Sequence, residues 1–304
     1  MTLEQTLNTE FSIPGHLRFE TNASGIVMAV IENQYAKVVI STYGSHIVSY
    51  LPKGETEDVF YLSEQAIFGE GKAIRGGIPI CWPWFADDKS GLGRQAHGFA
   101  RNVQWQVLAT QAGDDGSTAI KLGLKQTESS LALWPHPFEL VFDIVVGEAL
   151  TVNLTTKNVG QQPITINQAL HTYFKTSDIE AIEIQGLNDF TYLNKLTAFS
   201  AFKQQDEITV KGEIDRVYID VPKTVTLSDK GYGRDITISG QGSNSTVVWN
   251  PGPETIKPFS DLPNSAYRAF ICIETANALD DIVTIAAGNS HSCTASYQVN
   301  KQSA

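Results

Sequence analysis

The sequence lacks the features around which secreted and membrane-spanning proteins are usually built. It has three cysteines, Cys81, Cys272 and Cys293. An odd number without paired spacing favours reduced thiols in a reducing compartment over a disulfide framework. No apolar stretch approaches the roughly 18 residues of a membrane span. The N-terminal MTLEQTLNTEF carries acidic residues where a secretory signal would carry basic ones. We therefore expect a cytoplasmic protein.

Positive charge is also scarce. The chain has 22 Lys and Arg against 33 Asp and Glu, a formal net charge of −11. Nucleic acid and anionic membrane are therefore disfavoured as partners, because the average surface would repel them. An anionic substrate would have to be bound by a local cluster of arginines.

Several common catalytic motifs are missing. No GxGxxG opens a helix after a strand, and there is no GxxxxGK[ST] or GxSxG, which disfavours nucleotide cofactors and nucleophile-elbow hydrolysis. The six histidines and three cysteines contain no HxH, HExxH or CxxC spacing. A metal site could then arise only by tertiary coincidence. The sequence predicts a protein that needs no metal and no cofactor.

What the sequence has in quantity is short runs of alternating apolar and polar residues, rich in valine, isoleucine and threonine. We predict strands at residues 25–31, 36–40, 103–109, 119–125, 138–146, 149–157, 164–169, 179–185, 225–228, 235–239, 246–249, 269–274 and 284–299. No amphipathic helix exceeds a turn or two. This pattern predicts an all-β fold, a large antiparallel β-sandwich. We expect one domain over residues 1–304, with polar tails at about 1–12 and 299–304.

Two segments break the strand pattern with arginines and aromatic residues. AIRGGIPICWPWFA at 73–86 surrounds Arg75 with glycines, prolines and two tryptophans, and Trp82 and Trp84 could be either a platform for a sugar ring or ordinary core. QAHGFARN at 95–102 places Gln95, His97 and Arg101 close together. Arg75 and Arg101 could form a fork for a phosphate, or they could be surface arginines in salt bridges.

Two further segments place an ionisable residue next to an apolar strand. ALHTYF at 169–174 carries His171, either a proton donor with a pKa near neutrality or a hydrogen-bonded core histidine. AFICIETAN at 269–277 carries Glu274, and a carboxylate buried there would need a partner or a purpose. If the strand ends at the rim of the sandwich, Glu274 simply meets water.

Taken together and in this order, these segments, with DRVY at 215–218 and WNPGP at 249–253, resemble the glucose-6-phosphate 1-epimerases. These hexose-6-phosphate mutarotases are a branch of the galactose mutarotase-like superfamily, and the resemblance extends from about residue 19 to residue 298. It implies a supersandwich fold and a small hexose phosphate as substrate. We also expect the chain to be a monomer. One departure is IKPFSDLPNSAYRAF, which replaces a methionine-containing turn and bears on sugar preference.

The resemblance also assigns roles to residues. It implies that His171 and Glu274 are catalytic, and that Arg75, Gln95, His97, Arg101 and Asp215 bind substrate. In the expected mechanism an ionised Glu274 removes the anomeric hydroxyl proton while a protonated His171 gives one to the ring oxygen. The alternatives are a non-catalytic module that binds or senses sugar phosphates, and a sandwich-fold lyase or glycoside hydrolase. A hydrolase would normally use two carboxylates.

Overall fold

The structure is a computed structural model that describes residues 1–69, 71–88 and 90–302. Four antiparallel sheets are its main regular structure. No helix among the described residues is long and apolar enough to cross a membrane.

The first large sheet, sheet A, has eight strands in the order β15-β14-β16-β19-β20-β11-β5, with β12 also paired to β20. Its strands are β5 (Ile80–Cys81), β11 (Gln168–Leu170), β12 (Tyr173–Lys175), β14 (Thr191–Asn194), β15 (Ser200–Lys203), β16 (Ile214–Ile219), β19 (Ser245–Asn250) and β20 (Phe270–Asn277). Several are only two to four residues long.

The second large sheet, sheet B, also has eight strands, in the order β13-β17-β18-β22-β9-β8-β7-β6. They are β6 (Gln106–Ala112), β7 (Thr118–Lys125), β8 (Phe138–Val146), β9 (Leu150–Asn158), β13 (Ile182–Gln185), β17 (Thr224–Asp229), β18 (Arg234–Gln241) and β22 (Ser290–Lys301). In β8 and β9 every second residue is buried, as expected for strands with one face on a core.

Two smaller sheets and a few short helices complete the chain. One sheet is formed by β1 (Leu17–Thr21), β2 (Val27–Glu32), β3 (Ala36–Ser41) and β4 (His46–Pro52), the other by β10 (Ile164–Ile166) and β21 (Val283–Ile285). The α-helices are α1 (Leu3–Phe11), α2 (Glu128–Leu133) and α3 (Gly252–Thr255). Single 3-10 turns lie at Ala100–Asn102, Lys195–Thr197 and Ala266–Arg268.

Sheets A and B pack face to face across one continuous core of buried apolar residues. Ile271 and Ile273 of β20 enter this core from sheet A, and Phe142 of β8 enters it from sheet B. Buried hydrogen bonds also join the two sides: Trp82 Nε1 donates to Thr156 Oγ1 at 3.0 Å. The prediction of an all-β antiparallel sandwich is confirmed.

Most of the two predicted polar tails has regular structure. α1 covers most of residues 1–12 because Thr2 and Gln5 form a capping box at its start, and Leu7 is buried. The side chain of Asn8 fixes the helix to β1 through two hydrogen bonds to the backbone of Phe19. This helix also exceeds the turn or two allowed by the sequence reading. At the other end β22 continues to Lys301, while residues 303 and 304 lie outside the described part of the chain.

Candidate active site

The two faces of β20 have different surroundings. Alternate residues of a strand point to opposite sides, and Ile271 and Ile273 join the core between the sheets. Cys272 and Glu274 therefore lie on the other, outer face of sheet A. Glu274 is only 1% exposed and lies within β20, which runs on to Asn277. The alternative that it meets water at a strand end is wrong.

His171 lies beside Glu274 in the short link between β11 and β12. Its backbone N–H donates to the carbonyl of Pro79 at 3.0 Å. Its Nδ1 is 3.4 Å from Glu274 Oε1, and both side chains are almost fully buried. Among the described residues, neither His171 Nδ1 nor Glu274 Oε2 has a hydrogen-bond partner. Buried polar atoms without partners are rare and costly, so this pair is arranged for something other than core stability.

Aromatic rings surround the histidine. Tyr173 stacks on it with centroids 4.9 Å apart and planes 9° apart. Trp249 meets it edge-on at 5.9 Å, and His97 lies at 5.6 Å. Of these, Trp249 and His97 are only partly buried. We call this partly exposed cluster of aromatic rings beside the pair the recess, and its ring faces suit the apolar side of a sugar ring.

The two tryptophans left open by the sequence do not build this recess. Trp82 is fully buried and packs against Phe138 at 4.5 Å, so its core interpretation is correct. Trp84 donates its Nε1 hydrogen to Gln95 O at 2.9 Å, and the Arg94 guanidinium lies 4.0 Å from its ring centre. The tryptophan of the recess is instead Trp249, in the WNPGP segment.

His97 is held in a constrained position. Its φ of 66° lies in the left-handed region, which is unfavourable for a residue with a side chain. The next residue must be glycine, because a Cβ on Gly98 would lie 1.8 Å from Trp82 O. The Nδ1 of His97 accepts from the Ala86 N–H at 3.3 Å, which leaves Nε2 to carry the ring proton. Burial, with Arg101 and Lys195 nearby, lowers the pKa of His97 to about 3, so it is a neutral donor.

The two arginines differ in their pairing. Arg75 Nε donates to Asp261 Oδ2 at 3.1 Å, its Nη1 to the Tyr173 hydroxyl at 3.2 Å, and its guanidinium lies 4.9 Å from the Phe259 ring centre. The salt-bridge alternative thus applies to Arg75. Arg101 Nη2 donates to the carbonyl of Ala96 at 3.0 Å, and its Nε is buried without a partner. Among the described residues no carboxylate lies within ion-pair distance of Arg101.

Arg101 nonetheless affects the titration of the His171–Glu274 pair. Its positive charge lowers the pKa of His171 and opposes the rise in the pKa of Glu274. Gln95 is exposed, and its Oε1 accepts from the Asn102 amide at 2.5 Å instead of contacting the His171–Glu274 pair.

Asp215 of β16 belongs to the same outer face. It pairs across the sheet with Trp249, which pairs with Cys272, and residues that pair directly share a face. Its Oδ2 lies 3.0 Å from Lys195 Nζ. Sequence reasoning did not single out Lys195, which no motif marks. It also missed the part played by Tyr173 and Trp249, although both stand inside the quoted motifs.

Burial dominates the titration of the pair. It lowers the pKa of His171 well below its ordinary 6.5, and it raises the pKa of Glu274 well above its ordinary 4.5, with the charge of Asp215 adding to the rise. These directions favour a neutral histidine and a protonated glutamate, opposite to the charge states expected from the sequence. Both arrangements contain the same number of protons: the acidic proton lies on His171 in one and on Glu274 in the other, and the two groups are 3.4 Å apart.

Such a pair can give a proton at one point and accept one at another, which is what acid–base catalysis requires. Among the described residues no three His, Cys, Asp or Glu side chains are grouped to hold a metal ion.

Comparison with known proteins places the chain in a family. The family model described as "Aldose 1-epimerase" matches residues 28–298. A protein of Escherichia coli strain K12 named "Putative glucose-6-phosphate 1-epimerase" is 35% identical over 252 residues, 83% of each chain. One of the same name from Cenchrus ciliaris is 32% identical, over 86% of this chain and 80% of that one.

Solved structures agree. The crystal structure of a "putative mutarotase" from Salmonella typhimurium has a TM-score of 0.89, 28% identity and 96% coverage of both chains. A galactose mutarotase-like protein from Clostridium acetobutylicum, 11% identical, shares the fold with a TM-score of 0.74, over 94% of this chain and 98% of that one. The chain therefore belongs to the aldose 1-epimerase family, and the protein is an epimerase.

Proposed function

We propose that the protein interconverts the α and β anomers of a hexose 6-phosphate, with glucose 6-phosphate as the preferred substrate, and that His171 and Glu274 catalyse the reaction. The observation that carries this proposal is the buried pair itself: two ionisable groups 3.4 Å apart, each with an unpartnered polar atom, under an aromatic recess.

The reaction needs two proton transfers. One proton leaves the anomeric hydroxyl while another reaches the ring oxygen, so that the C1–O5 bond breaks and an open-chain aldehyde forms. Rotation about the C1–C2 bond presents the other carbonyl face, and reversed transfers close the ring. Each transfer to a well-placed group contributes about 10²–10⁴-fold.

A pair that shares one proton suits this cycle in either arrangement. With Glu274 ionised and His171 protonated, the glutamate accepts from the anomeric hydroxyl and the histidine donates to the ring oxygen. The neutral arrangement is favoured by burial and holds the same number of protons. The positive charges of Arg101 and Lys195 oppose the rise in the Glu274 pKa and so favour the ionised form. The remaining polar side chains, such as neutral His97, would hold the sugar.

Phosphate recognition is assigned to the arginine side of the recess. Arg75 is already compensated by Asp261. Arg101 has no carboxylate partner among the described residues and keeps donors available, so an anion there would gain a charge-assisted contact. The curated relatives named as glucose-6-phosphate 1-epimerases support this choice of substrate.

The test is a direct assay. Pure α-glucose 6-phosphate and pure α-glucose are dissolved separately, and their approach to anomeric equilibrium is followed with and without the protein. We expect the phosphate ester to be converted with the higher kcat/KM. Equal acceleration of both sugars would contradict the phosphate preference. Binding of the ester without any acceleration would instead indicate a sensing module.

A further inference from the structure

Lys195 lies at the tip of the hairpin formed by β14 and β15, at the edge of sheet A. β14 pairs with β16 so that Asn194 is opposite Arg216, and the chain leaves the strand there. The next residue, Lys195, therefore reaches the position of Asp215, and its ammonium lies 3.0 Å from that carboxylate.

The hairpin tip is fixed by its own hydrogen bonds. Asn194 Oδ1 accepts from the Leu196 N–H at 3.1 Å, and Asn194 O accepts from the Phe199 N–H at 2.8 Å. Ala198 and Phe199 both have a positive φ, 53° and 60°. Non-glycine residues adopt this conformation only where the surroundings hold it. The tip thus presents Lys195 in a defined place, although its side chain is 51% exposed.

We propose that Lys195 is a specificity-determining residue, which together with Asp215 binds ring hydroxyls of the hexose remote from the anomeric carbon. The inference rests on the proposed function, because it assumes a hexose held over His171 and Glu274. Asp215 would accept from a hydroxyl, and Lys195 would donate to one while keeping Asp215 ionised.

The spacing of the strands supports this assignment. Asp215 is on β16 and Glu274 on β20, with β19 between them. Two strand spacings amount to about 10 Å. A pyranose whose C1 and ring oxygen lie at the catalytic pair extends its far hydroxyls across this gap toward Asp215.

The charges favour hydroxyls over the phosphate at this end. Asp215 and Glu213 interact repulsively, and Lys195 is the cation that lowers the pKa of Asp215 against the effect of burial. A phosphate would therefore meet two carboxylates and one ammonium. Around Arg101 no carboxylate lies within ion-pair distance in the described part of the chain. An ammonium has three donors, so Lys195 can hold Asp215 and a hydroxyl together.

The decisive variant is Lys195→Met, which keeps most of the length of the unbranched side chain and removes its charge. Lys203→Met is the matched control, because Lys203 lies on the same hairpin, is 58% exposed and pairs with Asp189 at 3.2 Å. For Lys195→Met we expect kcat/KM to fall about tenfold for glucose 6-phosphate and by the same factor for glucose, as for loss of a hydrogen bond to a charged group. The control should stay within twofold of the wild type.

Deoxy substrates locate the contact. With the wild type, kcat/KM should be lower for 3-deoxy- or 4-deoxyglucose 6-phosphate than for glucose 6-phosphate. In Lys195→Met this difference should be smaller, by about the factor of ten that the variant loses with glucose 6-phosphate itself. The 2-deoxy compound should show no such coupling. The idea is overturned if Lys195→Met matches the control, if it alters the ratio of ester to free sugar, or if no deoxy penalty changes.

A binding measurement separates this inference from the proposed function. 1,5-Anhydroglucitol 6-phosphate lacks the anomeric hydroxyl and cannot react, so its Kd reports recognition alone. If the wild type binds it about tenfold more tightly than Lys195→Met but does not catalyse anomerisation, the proposed function fails and the role of Lys195 stands. Equal Kd values for the wild type and Lys195→Met, in an enzyme that catalyses anomerisation, would contradict the proposed role of Lys195 and leave the proposed function intact.

Discussion

The two eight-stranded sheets differ in the regularity of their strands and in the residues that they bury. In sheet B, β8 and β9 are nine residues each and bury every second side chain against the core. In sheet A, β20 is buried on both faces, while β5, β11 and β12 have only two or three residues. Sheet A keeps a buried carboxylate and an imidazole on its outer face. Sheet B thus contributes regular packing to stability, whereas sheet A holds the proposed catalytic pair at some cost to stability.

The largest effect should come from a large-to-small substitution in the core between sheets A and B. Phe142 of β8 is completely buried in the core between the sheets. Phe142→Ala should reduce the free energy of unfolding by about 3–5 kcal/mol, because it leaves a cavity. Denaturant titration measures this change. The kcat of the molecules that remain folded should be close to that of the wild type.

A matched control lies on the same strand, since Val145 is 37% exposed. Val145→Ala should change stability by less than about 1 kcal/mol. The proposed division of roles between the sheets would be contradicted if Phe142→Ala removed the activity of the folded molecules while the free energy of unfolding hardly changed.

The second effect should appear on the outer face of sheet A. Glu274→Gln and His171→Asn should each lower kcat by roughly 10²-fold or more, through loss of a general acid–base group. Anomerisation kinetics measure this. Glu139→Gln on β8, which removes a surface carboxylate paired with Lys125, is the control.

In Glu274→Gln the stability should not fall as the activity does. The folded pKa of Glu274 is raised above 4.5, so the carboxyl contributes stability below that pH and loses it as the pH rises. The glutamine variant should therefore unfold at an equal or higher temperature than the wild type at neutral pH. A folded variant with wild-type turnover would refute the assignment of the pair.

A third comparison concerns the two arginines within sheet A's recess. Arg101→Ala should lower the ratio of kcat/KM for glucose 6-phosphate to that for glucose by about tenfold or more, because a charge-assisted contact is lost. Arg75→Ala should lower both values, since it also frees Asp261 and Tyr173. The surface variant Arg268→Ala, which breaks ion pairs with Asp178 and Glu180, is the control. An unchanged ratio in Arg101→Ala would place the phosphate elsewhere.

The smallest effect is a displaced pH profile. The pair works while it holds one proton, and a second proton must enter His171, whose pKa is lowered below 6.5. The acid limb of kcat/KM should therefore lie below pH 6.5, and the alkaline limb should begin where the pair loses its single proton. Initial rates across pH measure both, after subtraction of the uncatalysed reaction. An acid limb at or above pH 6.5 would show that burial does not control His171.

The sequence predicted sheet B better than sheet A for a physical reason. The strict alternation in 138–146 coincides with β8, because one face of that strand meets the core and the other meets water. β14 and β15 lie at the edge of sheet A, where none of their residues is fully buried, so no apolar period marks them. β5 and β12 are too short to show a period at all.

The site was only partly predictable for a related reason. His171 and Glu274 stand out because they interrupt apolar strands, and the structure brings them together. Lys195 follows β14, a short strand with no fully buried residue, and only the pairing of β14 with β16 brings Lys195 to Asp215. The partnership of Arg75 with Asp261 spans 186 positions and is created by tertiary packing.

The three buried thiols give the molecule its own probe of unfolding. Cys81 and Cys272 are in sheet A and Cys293 is in sheet B, and all three are fully enclosed. Burial raises the pKa of Cys81 and of Cys293 to about 12, so a thiol-selective label finds almost no thiolate in the native protein. Labelling must then wait for the chain to open. The order in which the three sites are modified reports whether the two sheets separate in one event or whether one of them opens first.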